Sequence, residues 1–378
     1  MTHLGELMRR ADRACQPVSV LIELTWWCPL GCRHCYCEAP CDGELDTAEW
    51  TRVLGEVREA GALFVTLSGG EPLVRDDALD IAGAARRLGL GVRLLTSGTL
   101  LHDEEVRRIA ELGLLSVELS LYGARAETHD GVTRVAGSFD RTLAGARALR
   151  AADVPVMLKV PLLAPTLPEA TGILALARSF GAGCGFDPII IPRREGGREP
   201  LALRPDPDAL TTGLRALAAE LPRPAERGGG GSPAEPPAPG TLSGEPDRPA
   251  DVAPTLLGEA CQSLCTAGTR TARIGPEGTV YACVLYNVPA GNVRTQRFGD
   301  IWAGSPELLR LRARTPRDLA PECQACPDWQ RCGRCSAAAL LEHGDDGARL
   351  DAACAVARAA AAAQASARPI VGPGEPAT

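Results

Sequence analysis

Apolar runs of strand length alternate with amphipathic stretches of helix length from residue 18 to about residue 221. The first run, VSVLIELT at 18–25, is rich in β-branched residues, which predicts a buried strand. Asp46 and Glu49 form a capping-box pattern at the start of an amphipathic stretch that ends at Gly61. The predicted strands are 18–25, 63–68, 92–97, 114–121, 154–163 and 185–191, and the predicted helices are 47–61, 76–89, 103–113, 138–151, 168–181 and 206–221.

Six strand–helix units at short spacing indicate an α/β fold with a parallel sheet. Six units suit a partial (β/α)6 TIM-like barrel better than a closed barrel of eight, and a doubly wound open sheet is the alternative. After the barrel come a stretch rich in Pro and Gly and then a cysteine-rich region. We expect an N-terminal extension (1–17), the barrel (18–221), a flexible linker (222–255), a cysteine-rich domain (256–357), and an Ala-rich helix end with a disordered tail (358–378).

Composition indicates a reducing compartment. No apolar segment is long enough to span a bilayer, and the N-terminus lacks the apolar core of a secretory signal. We therefore expect a cytoplasmic protein in which the 15 cysteines act as metal ligands rather than as disulfides. The formal net charge of −7 argues against a general nucleic-acid footprint. Lys159 is the one lysine among 40 Lys and Arg residues, which we attribute to genomic base bias.

Polar and glycine-rich motifs follow the predicted strands. WWCPLGCRHC comes after the first strand, GGEP (69–72) after the second, and TSGT (96–99) at the end of the third. Ser120 ends the fourth strand, and Lys159 lies in the fifth. Because functional groups gather at the carboxyl ends of the strands in a parallel barrel, these residues should line one mouth.

Cys28, Cys32 and Cys35 have the spacing C-x3-C-x2-C. Zinc sites usually combine two distant pairs of cysteines, whereas three thiolates on one short loop supply three corners of a cubane iron–sulfur cluster. One iron then lacks a protein ligand and can bind substrate. Gly69 and Gly70 would let the backbone approach a small ligand closely.

A second cysteine field lies in the C-terminal part of the chain. Cys265 is followed by twelve residues, Gly278, four residues and Cys283. The other cysteines of this field are Cys261, Cys323, Cys326, Cys332, Cys335 and Cys354. Zinc is the alternative occupant of this field.

The first cysteine motif, with GGEP downstream, resembles the radical S-adenosylmethionine superfamily. The resemblance implies that Cys28, Cys32 and Cys35 hold a [4Fe–4S] cluster whose open iron chelates S-adenosylmethionine, and that cleavage of this cofactor gives a 5′-deoxyadenosyl radical. It also implies a set of cofactor contacts. Gly69, Gly70 and Glu71 would lie at the methionine amino group, and Pro72 belongs to the same motif. Ser120 would lie near the ribose, and Ser97 and Arg134 would lie around the carboxylate.

The second cysteine field resembles the SPASM domain, which binds two auxiliary [4Fe–4S] clusters. The resemblance implies one cluster on Cys261, Cys265, Cys283 and Cys335, and another on Cys323, Cys326, Cys332 and Cys354. The chain departs from the family pattern at one step, because two residues rather than three separate Cys332 from Cys335. The cluster that Cys335 joins is therefore open.

Enzymes with both auxiliary clusters mostly modify peptides, so the resemblance implies a peptide maturase that oxidises, and crosslinks, a ribosomally made peptide. The implied partners are the peptide, a separate leader-binding adaptor and an electron donor such as flavodoxin or ferredoxin, without nucleic acid or membrane. The first alternative is an anaerobic sulfatase maturase, but those enzymes carry an Asp where this chain has Val284. The others are a small-molecule dehydrogenase, including a haem-pathway enzyme, and a non-catalytic electron carrier or zinc scaffold.

Four cysteines stay outside the implied ligand sets: Cys15, Cys37, Cys41 and Cys184. We expect Cys184 to be a small core residue and Cys37 and Cys41 to be ordinary loop residues. Trp26, Trp27 and His34 should pack around the first cysteine loop.

Overall fold

A computed structural model describes residues 3–37, 40, 42–220 and 264–366. The first part of the chain alternates strand and helix as predicted. Its strands are β1 Ser19–Thr25, β2 Phe64–Gly69, β3 Gly91–Thr96, β4 Ser116–Ser120, β5 Val156–Pro161 and β6 Gly183–Asp187. Its helices are α1 His3–Arg13, α2 Thr47–Glu59, α3 Ala78–Arg87, α4 Asp103–Leu112, α5 Ala126–Thr133, α6 Ser138–Ala151, α7 Ala170–Ser179 and α8 Pro207–Glu220. The predicted capping box of Asp46 and Glu49 is confirmed at the start of α2.

The first six strands are parallel and lie in the order β6-β5-β4-β3-β2-β1. A doubly wound sheet reverses its strand order at a switch point, and this sheet does not. Strands that follow each other in sequence are neighbours in space, which is the arrangement of a partial β/α barrel. The doubly wound alternative is therefore wrong, and the carboxyl ends of the six strands share one mouth.

The cysteine-rich domain continues the barrel sheet. β7 (Thr271–Ile274) pairs in parallel with β1, and β8 (Thr279–Tyr281) and β9 (Gly291–Asn292) follow in antiparallel pairing. The result is one sheet of nine strands within the described part of the chain. The sequence did not predict this pairing. It fixes the cysteine-rich domain against β1, the strand that leads into the Cys28 loop.

Short helices complete the cysteine-rich domain. The first and the last described segments of the chain both pack on the rest of the fold. The helices are α9 Phe298–Gly304, α10 Pro306–Arg312, α11 Pro321–Gln324, α12 Ser336–His343 and α13 Asp351–Ser366. α13 packs against α8 of the barrel. After α1, the carbonyl of Cys15 accepts a hydrogen bond from Trp302 Nε1 at 2.6 Å, and Asp12 pairs with Arg270 at 2.7 Å. The N-terminal extension thus packs on the cysteine-rich domain.

Successive residues of the barrel strands point to opposite faces of the sheet, one apolar and one polar. Side chains such as Val20, Val65 and Leu94 form an apolar core with the surrounding helices. The register places polar and charged residues on the opposite, inner face of the strands. These residues are Glu23, Thr66, Ser68, Arg93, Glu118, Ser120, Lys159 and Asp187. The barrel therefore encloses a charged lumen below its mouth.

Three expectations about the barrel need correction. β6 ends at Asp187 rather than at residue 191, because Pro188 has no N–H for the ladder and Asp187 Oδ1 accepts the N–H of Ile189 at 2.9 Å. β5 ends at Pro161, before the predicted end at 163. Helix α5 was not predicted at all.

Several expectations fall outside the described residues: the linker 222–255, Cys41, Cys261 and the tail beyond residue 366. Among the described helices, none has the length and apolar character that a membrane crossing requires.

Candidate functional site

The three cysteines of the first motif lie together on the loop after β1. All three are free thiols. Burial, followed by the charges of Glu71 and Cys35, raises the pKa of Cys28 to about 11. Burial, followed by the charges of Cys35 and Cys28, raises the pKa of Cys32 to about 12. A hydrogen bond from the Cys37 thiol is the main cause that lowers the pKa of Cys35 to about 6. The mutual influence of these thiols shows that the loop brings them to one place.

Helix α5 holds this loop in position. Its last carbonyl groups accept hydrogen bonds from the loop, Thr133 O from Gly31 N at 2.9 Å and Val132 O from Arg33 N at 3.0 Å. Arg134 follows the helix with a left-handed backbone (φ 61°). A Cβ atom on Gly31 would lie 3.8 Å from Arg134 Cδ, so the structure brings Arg134 next to the cysteine loop.

The GGEP loop is clamped to the same segment. Gly70 N donates to Thr25 O at 2.7 Å, and Glu71 N donates to Trp27 O at 2.9 Å. A Cβ atom at Gly69, where φ is +133°, would lie 2.1 Å from Thr25 O, and one at Gly70 would lie 2.4 Å from Trp27 O. These glycines therefore permit close contact between two loops of the chain itself.

Glu71 is fully buried, and its carboxylate is bound by the end of β3. Thr96 Oγ1 donates to Oε1 at 2.7 Å, and Ser97 donates to Oε2 through its backbone N, at 2.7 Å, and through its hydroxyl. Leu73 N donates to Oε1 at 3.2 Å. The side chains of Glu71 and Ser97 therefore bind each other, and Pro72 is buried at the start of the short helical turn 72–74.

Ser120 and a residue that the sequence reasoning missed, Tyr122, complete this side of the mouth. Tyr122 is buried, and its hydroxyl lies 4.0 Å from Cys32 Sγ. Burial raises the pKa of the Tyr122 hydroxyl, and the Ser120 side chain lies close enough to act in the opposite direction. His34 packs edge-on against the Tyr122 ring, with 4.7 Å between ring centroids, which confirms its packing role. Tyr122 could have been found from its position directly after the fourth strand.

The two tryptophans and the cysteines outside the predicted ligand sets have different surroundings. Trp26 is buried and donates to Glu23 Oε2 at 3.0 Å. Trp27 is 51% exposed, so the packing predicted for it is wrong for most of its surface. Cys37 Sγ lies 3.5 Å from Gly69 O, so the cysteine loop is in contact with the GGEP loop at this point. Cys184 is half-buried against the apolar core, as predicted.

The second cysteine field separates into two groups. Charge–charge effects on thiol pKa values connect Cys265, Cys283 and Cys335 with one another. The same kind of effect connects Cys332 with Cys323, Cys326 and Cys354. Cys335 thus lies near Cys265 and Cys283. These cysteines are free thiols. Within the described ranges, no group of His, Cys, Asp or Glu side chains converges in the way that ligands of a single metal ion do.

A cluster of charged groups lies in the lumen below the mouth. Lys159 Nζ is 3.4 Å from Glu118 Oε2, and the side chain of Glu118 is 2% exposed. Asp187 is half-buried, and removal of its carboxyl from water raises the pKa of that group, while the hydrogen bond from Ile189 N and the charge of Lys159 act in the opposite direction. Apart from Lys159, the sequence did not predict any of these residues, because the alternating pattern of a strand does not show what a charged residue in it contacts.

Comparison with known proteins agrees with this geometry. Residues 22–171 match the family model described as the radical SAM superfamily, and residues 265–327 match the SPASM model, an iron–sulfur cluster-binding domain. An AdoMet-dependent heme synthase of Methanosarcina barkeri is 30% identical over 349 residues, which cover 87% of this chain and 94% of that protein. The chain belongs to the radical S-adenosylmethionine superfamily.

Other relatives of this radical S-adenosylmethionine protein act on peptides. A PqqA peptide cyclase of Gluconobacter oxydans is 32% identical over 345 residues, which cover 86% of this chain and 87% of that protein. The structure of Streptococcus suis SuiB bound to its precursor peptide SuiA has a TM-score of 0.68 at 16% identity, covering 93% of this chain and 79% of SuiB. This likeness confirms the fold, a radical S-adenosylmethionine barrel followed by a SPASM domain.

The thiol groups fit the cofactors of this family. A radical S-adenosylmethionine enzyme with a SPASM domain binds S-adenosylmethionine and [4Fe–4S] clusters, and cubane clusters are held by cysteine thiolates. The chain presents three separate groups of neighbouring free thiols for this purpose. Relatives that match most of the chain are enzymes, so the non-catalytic alternatives, an electron carrier or a zinc scaffold, are wrong.

Proposed function

We propose that this enzyme oxidises a ribosomally made peptide by hydrogen abstraction and crosslinks it. The observation that carries this proposal is the second cysteine field, which falls into two groups of free thiols beside the barrel. A substrate radical must lose one more electron to become a closed-shell product, and an auxiliary cluster can accept it. Similarity to the PqqA peptide cyclases over most of both chains supports a peptide substrate.

Each group of thiols is assigned one cluster. Cys28, Cys32 and Cys35 hold the cluster that binds S-adenosylmethionine, which supplies a radical able to abstract hydrogen. One auxiliary cluster is assigned to Cys265, Cys283 and Cys335, with Cys261 as its fourth ligand. The other is assigned to Cys323, Cys326, Cys332 and Cys354.

The residues around the mouth bind and orient the cofactor. Gly69 and Gly70 offer backbone groups to the methionine part, while Glu71 acts through its hold on Ser97 rather than as a direct ligand. Ser120 lies beside Tyr122 near Cys32 and is assigned to the ribose. Arg134, at the end of α5 and next to the cysteine loop, is assigned to the cofactor carboxylate.

Two other reactions are alternatives to peptide crosslinking, and each requires a different residue or substrate. A sulfatase-maturase activity lacks its expected carboxylate, since Val284 follows Cys283. A haem-pathway reaction is the stronger alternative, because the heme synthase of M. barkeri is similar over 94% of its own length. The substrate decides between them: a peptide in the first proposal and an iron porphyrin in this alternative.

The remaining assignments concern the cellular compartment, the electron donor and an adaptor protein. We infer a cytoplasmic enzyme, since the described cysteines are free thiols and thiols persist in that compartment. An external electron donor such as flavodoxin or ferredoxin would reduce the first cluster. A separate adaptor would present the leader part of the peptide.

Co-expression with a short precursor peptide encoded beside the gene tests the proposal by mass spectrometry. We expect a product about 2 mass units lighter, formed in step with cofactor cleavage. The matched control replaces Cys28, Cys32 and Cys35 by Ala and should leave the peptide unchanged. Conversion of an iron porphyrin, or of a sulfatase Cys or Ser to formylglycine, with every neighbouring peptide unchanged, would contradict the proposal.

A further inference from the structure

A buried tyrosine lies against the cysteine loop at the mouth of the barrel. Tyr122 comes two positions after Ser120, the last residue of β4, and it is 6% exposed. Its hydroxyl oxygen lies 4.0 Å from Sγ of Cys32, the middle cysteine of the first motif. The assignments made so far give this hydroxyl no task of its own.

Two hydrogen bonds fix the backbone of Tyr122. Its N–H donates to Nδ1 of His129 at 3.3 Å, and its carbonyl accepts from Oγ1 of Thr166 at 2.7 Å. His129 belongs to α5, which also holds the cysteine loop, and Thr166 lies in the segment after β5. Both partners are buried, so a shift of Tyr122 would leave polar groups without partners inside the protein.

Two imidazole rings fix the direction of the tyrosine ring. The centroid of the His34 ring lies 4.7 Å from that of Tyr122, with the rings edge to face, and the His129 ring lies 5.3 Å away. Edge-to-face contacts of this kind are favourable and specific in geometry. The ring is thus packed between α5 and the cysteine loop, and this packing keeps the hydroxyl beside Cys32.

Apolar side chains surround the contact between Tyr122 and Cys32. Cys32 packs against a small cluster whose members are each at most 6% exposed: Tyr122, Val132, Leu163, Ile190 and Leu203. Water therefore competes poorly for the hydroxyl, and a hydrogen bond in such an environment is electrostatically stronger than one in water.

Binding of iron changes which of the two atoms can donate. A free cysteine has an S–H group, whereas a cysteine that holds iron is a thiolate and can only accept. A tyrosine hydroxyl can donate as well as accept. When Cys32 holds iron, Tyr122 is therefore the partner that can supply the hydrogen between oxygen and sulfur.

We propose that the Tyr122 hydroxyl donates a hydrogen bond to the Cys32 thiolate and thereby raises the reduction potential of the first cluster. Reduction adds one negative charge to a cluster, and hydrogen bonds to its sulfurs stabilise that charge. Tyr122 is thus a positioning residue that acts through Cys32. A raised potential eases electron transfer from an external donor. This consequence depends on the proposed function, whereas the hydrogen bond and the potential depend only on the bound cluster.

Potentiometric titration of the reconstituted enzyme, followed by electron paramagnetic resonance without S-adenosylmethionine, tests the proposal. The step of the first cluster is the one that disappears when Cys28, Cys32 and Cys35 are replaced by Ala. Tyr122→Phe keeps the ring and removes one oxygen. It should lower this step, changing the ratio of reduced to oxidised cluster about tenfold, which is 59 mV for one electron. The steps of the auxiliary clusters serve as internal references and should not move.

A spectroscopic measurement observes the hydrogen bond itself. Pulsed electron paramagnetic resonance of the reduced enzyme in D2O should show an exchangeable deuteron coupled to the first cluster, and Tyr122→Phe should lack it. Tyr286→Phe is the matched control, because it removes a hydroxyl that accepts from Arg310 at 2.9 Å in the SPASM domain. This control should leave both the first step and the deuteron signal unchanged.

Three results would overturn the proposal: an unmoved first step in Tyr122→Phe, an equal shift in Tyr286→Phe, or a deuteron signal that survives in Tyr122→Phe. Weaker binding of S-adenosylmethionine with an unmoved step would assign the hydroxyl to the cofactor instead. If Tyr122→Phe loses the first cluster, the parent enzyme decides. A coupled deuteron there supports the hydrogen bond, and its absence excludes it.

Discussion

The carboxylate of Glu71 is occupied by donors of its own chain. Both of its oxygens accept from backbone N–H groups, Oε1 from Leu73 and Oε2 from Ser97. Backbone N–H groups cannot reverse their polarity, so this position requires an acceptor on both sides. The motif residue therefore acts by fixing the loop that carries it, together with the end of β3.

We predict that Glu71→Gln lowers the free energy of unfolding by about 2 kcal/mol, because its NH2 group must face one of these backbone N–H groups. Urea denaturation of the apoprotein measures this effect. Binding of S-adenosylmethionine to the reconstituted enzyme should weaken as well. Ser97→Ala is the control, since it keeps the backbone N–H and removes only a hydroxyl, and its effect should be smaller. Equal stabilities of Glu71→Gln and the parent would show that the carboxylate is not needed there.

Lys159 lies on the inner face of β5, beside small residues of the two neighbouring strands. Its partner across the sheet is Gly185 on one side and Ser120 on the other, and its ammonium group lies 3.4 Å from Glu118. Genomic base bias explains the many arginines elsewhere, and the contact with the buried carboxylate of Glu118 explains why a cation is needed at this position.

For Lys159→Arg we predict a folded enzyme that still cleaves its cofactor but forms about tenfold less product per cleavage, because a larger cation displaces the substrate. Lys159→Met should instead lose stability, on the order of 2 kcal/mol, since Glu118 stays buried without its charged partner. Product and 5′-deoxyadenosine are quantified together, and urea denaturation reports stability. A parental product ratio in Lys159→Arg would mean that the lysine serves only to pair with Glu118.

Among the elements, the GGEP loop and the cysteine loop form one unit. The backbone of Gly69 passes so close to Thr25 that a side chain has no room, and its φ of +133° is rarely adopted by other residues. Gly89 offers a matched comparison, because its φ is also positive, at +78°, but a Cβ atom there would have no neighbouring atom within 4 Å.

We predict that Gly69→Ala costs about 3 kcal/mol or more and abolishes binding of S-adenosylmethionine, since strain and overlap add. Gly89→Ala should cost only about 1 kcal/mol and leave cofactor cleavage intact. Thermal unfolding and a cofactor-binding assay compare the two. Similar losses in both variants would show that backbone strain, rather than contact with Thr25, determines the effect.

Periodicity predicted the barrel elements because it is a local signal. The strands β1 to β5 and the helices beside them begin and end within a few residues of the predicted positions. Helix α5 escaped prediction, since AETHDGVT contains Gly, Thr and Val and has few apolar positions. It is stabilised by its contacts with the cysteine loop, which no local pattern records.

The pairing of β7 with β1 and the buried ion pair of Glu23 and Arg273 escaped prediction for a related reason. A short strand with a central arginine, TARI, reads as a surface segment. Arg273 is buried because Glu23 comes from a distant part of the sequence to meet it. Spacing of cysteines, in contrast, records chemistry directly, so the three thiol groups could be predicted without knowledge of tertiary contacts.

At the scale of the whole molecule, one sheet joins the barrel to the SPASM domain. β1 leads to Cys28, and its neighbour β7 is followed by β8, which leads to Cys283, so thiols of two of the proposed ligand groups follow strands of the same sheet. The third group, Cys323, Cys326, Cys332 and Cys354, lies on the later helices and turns. Each thiol group therefore depends on a different part of the fold.

If each of the three thiol groups binds its own cluster, removal of one group should not release iron from the other two. We predict about 12 iron and as many sulfide per reconstituted chain, from three cubane clusters. Replacing Cys28, Cys32 and Cys35 by Ala should leave about two thirds of the iron and stop formation of 5′-deoxyadenosine. Replacing Cys265, Cys283 and Cys335 should leave the same fraction but retain cofactor cleavage, because the first cluster stays intact. Loss of all iron in either variant would show that the clusters stabilise the fold together, and unchanged cofactor cleavage in the first would disprove the assignment of the radical cluster.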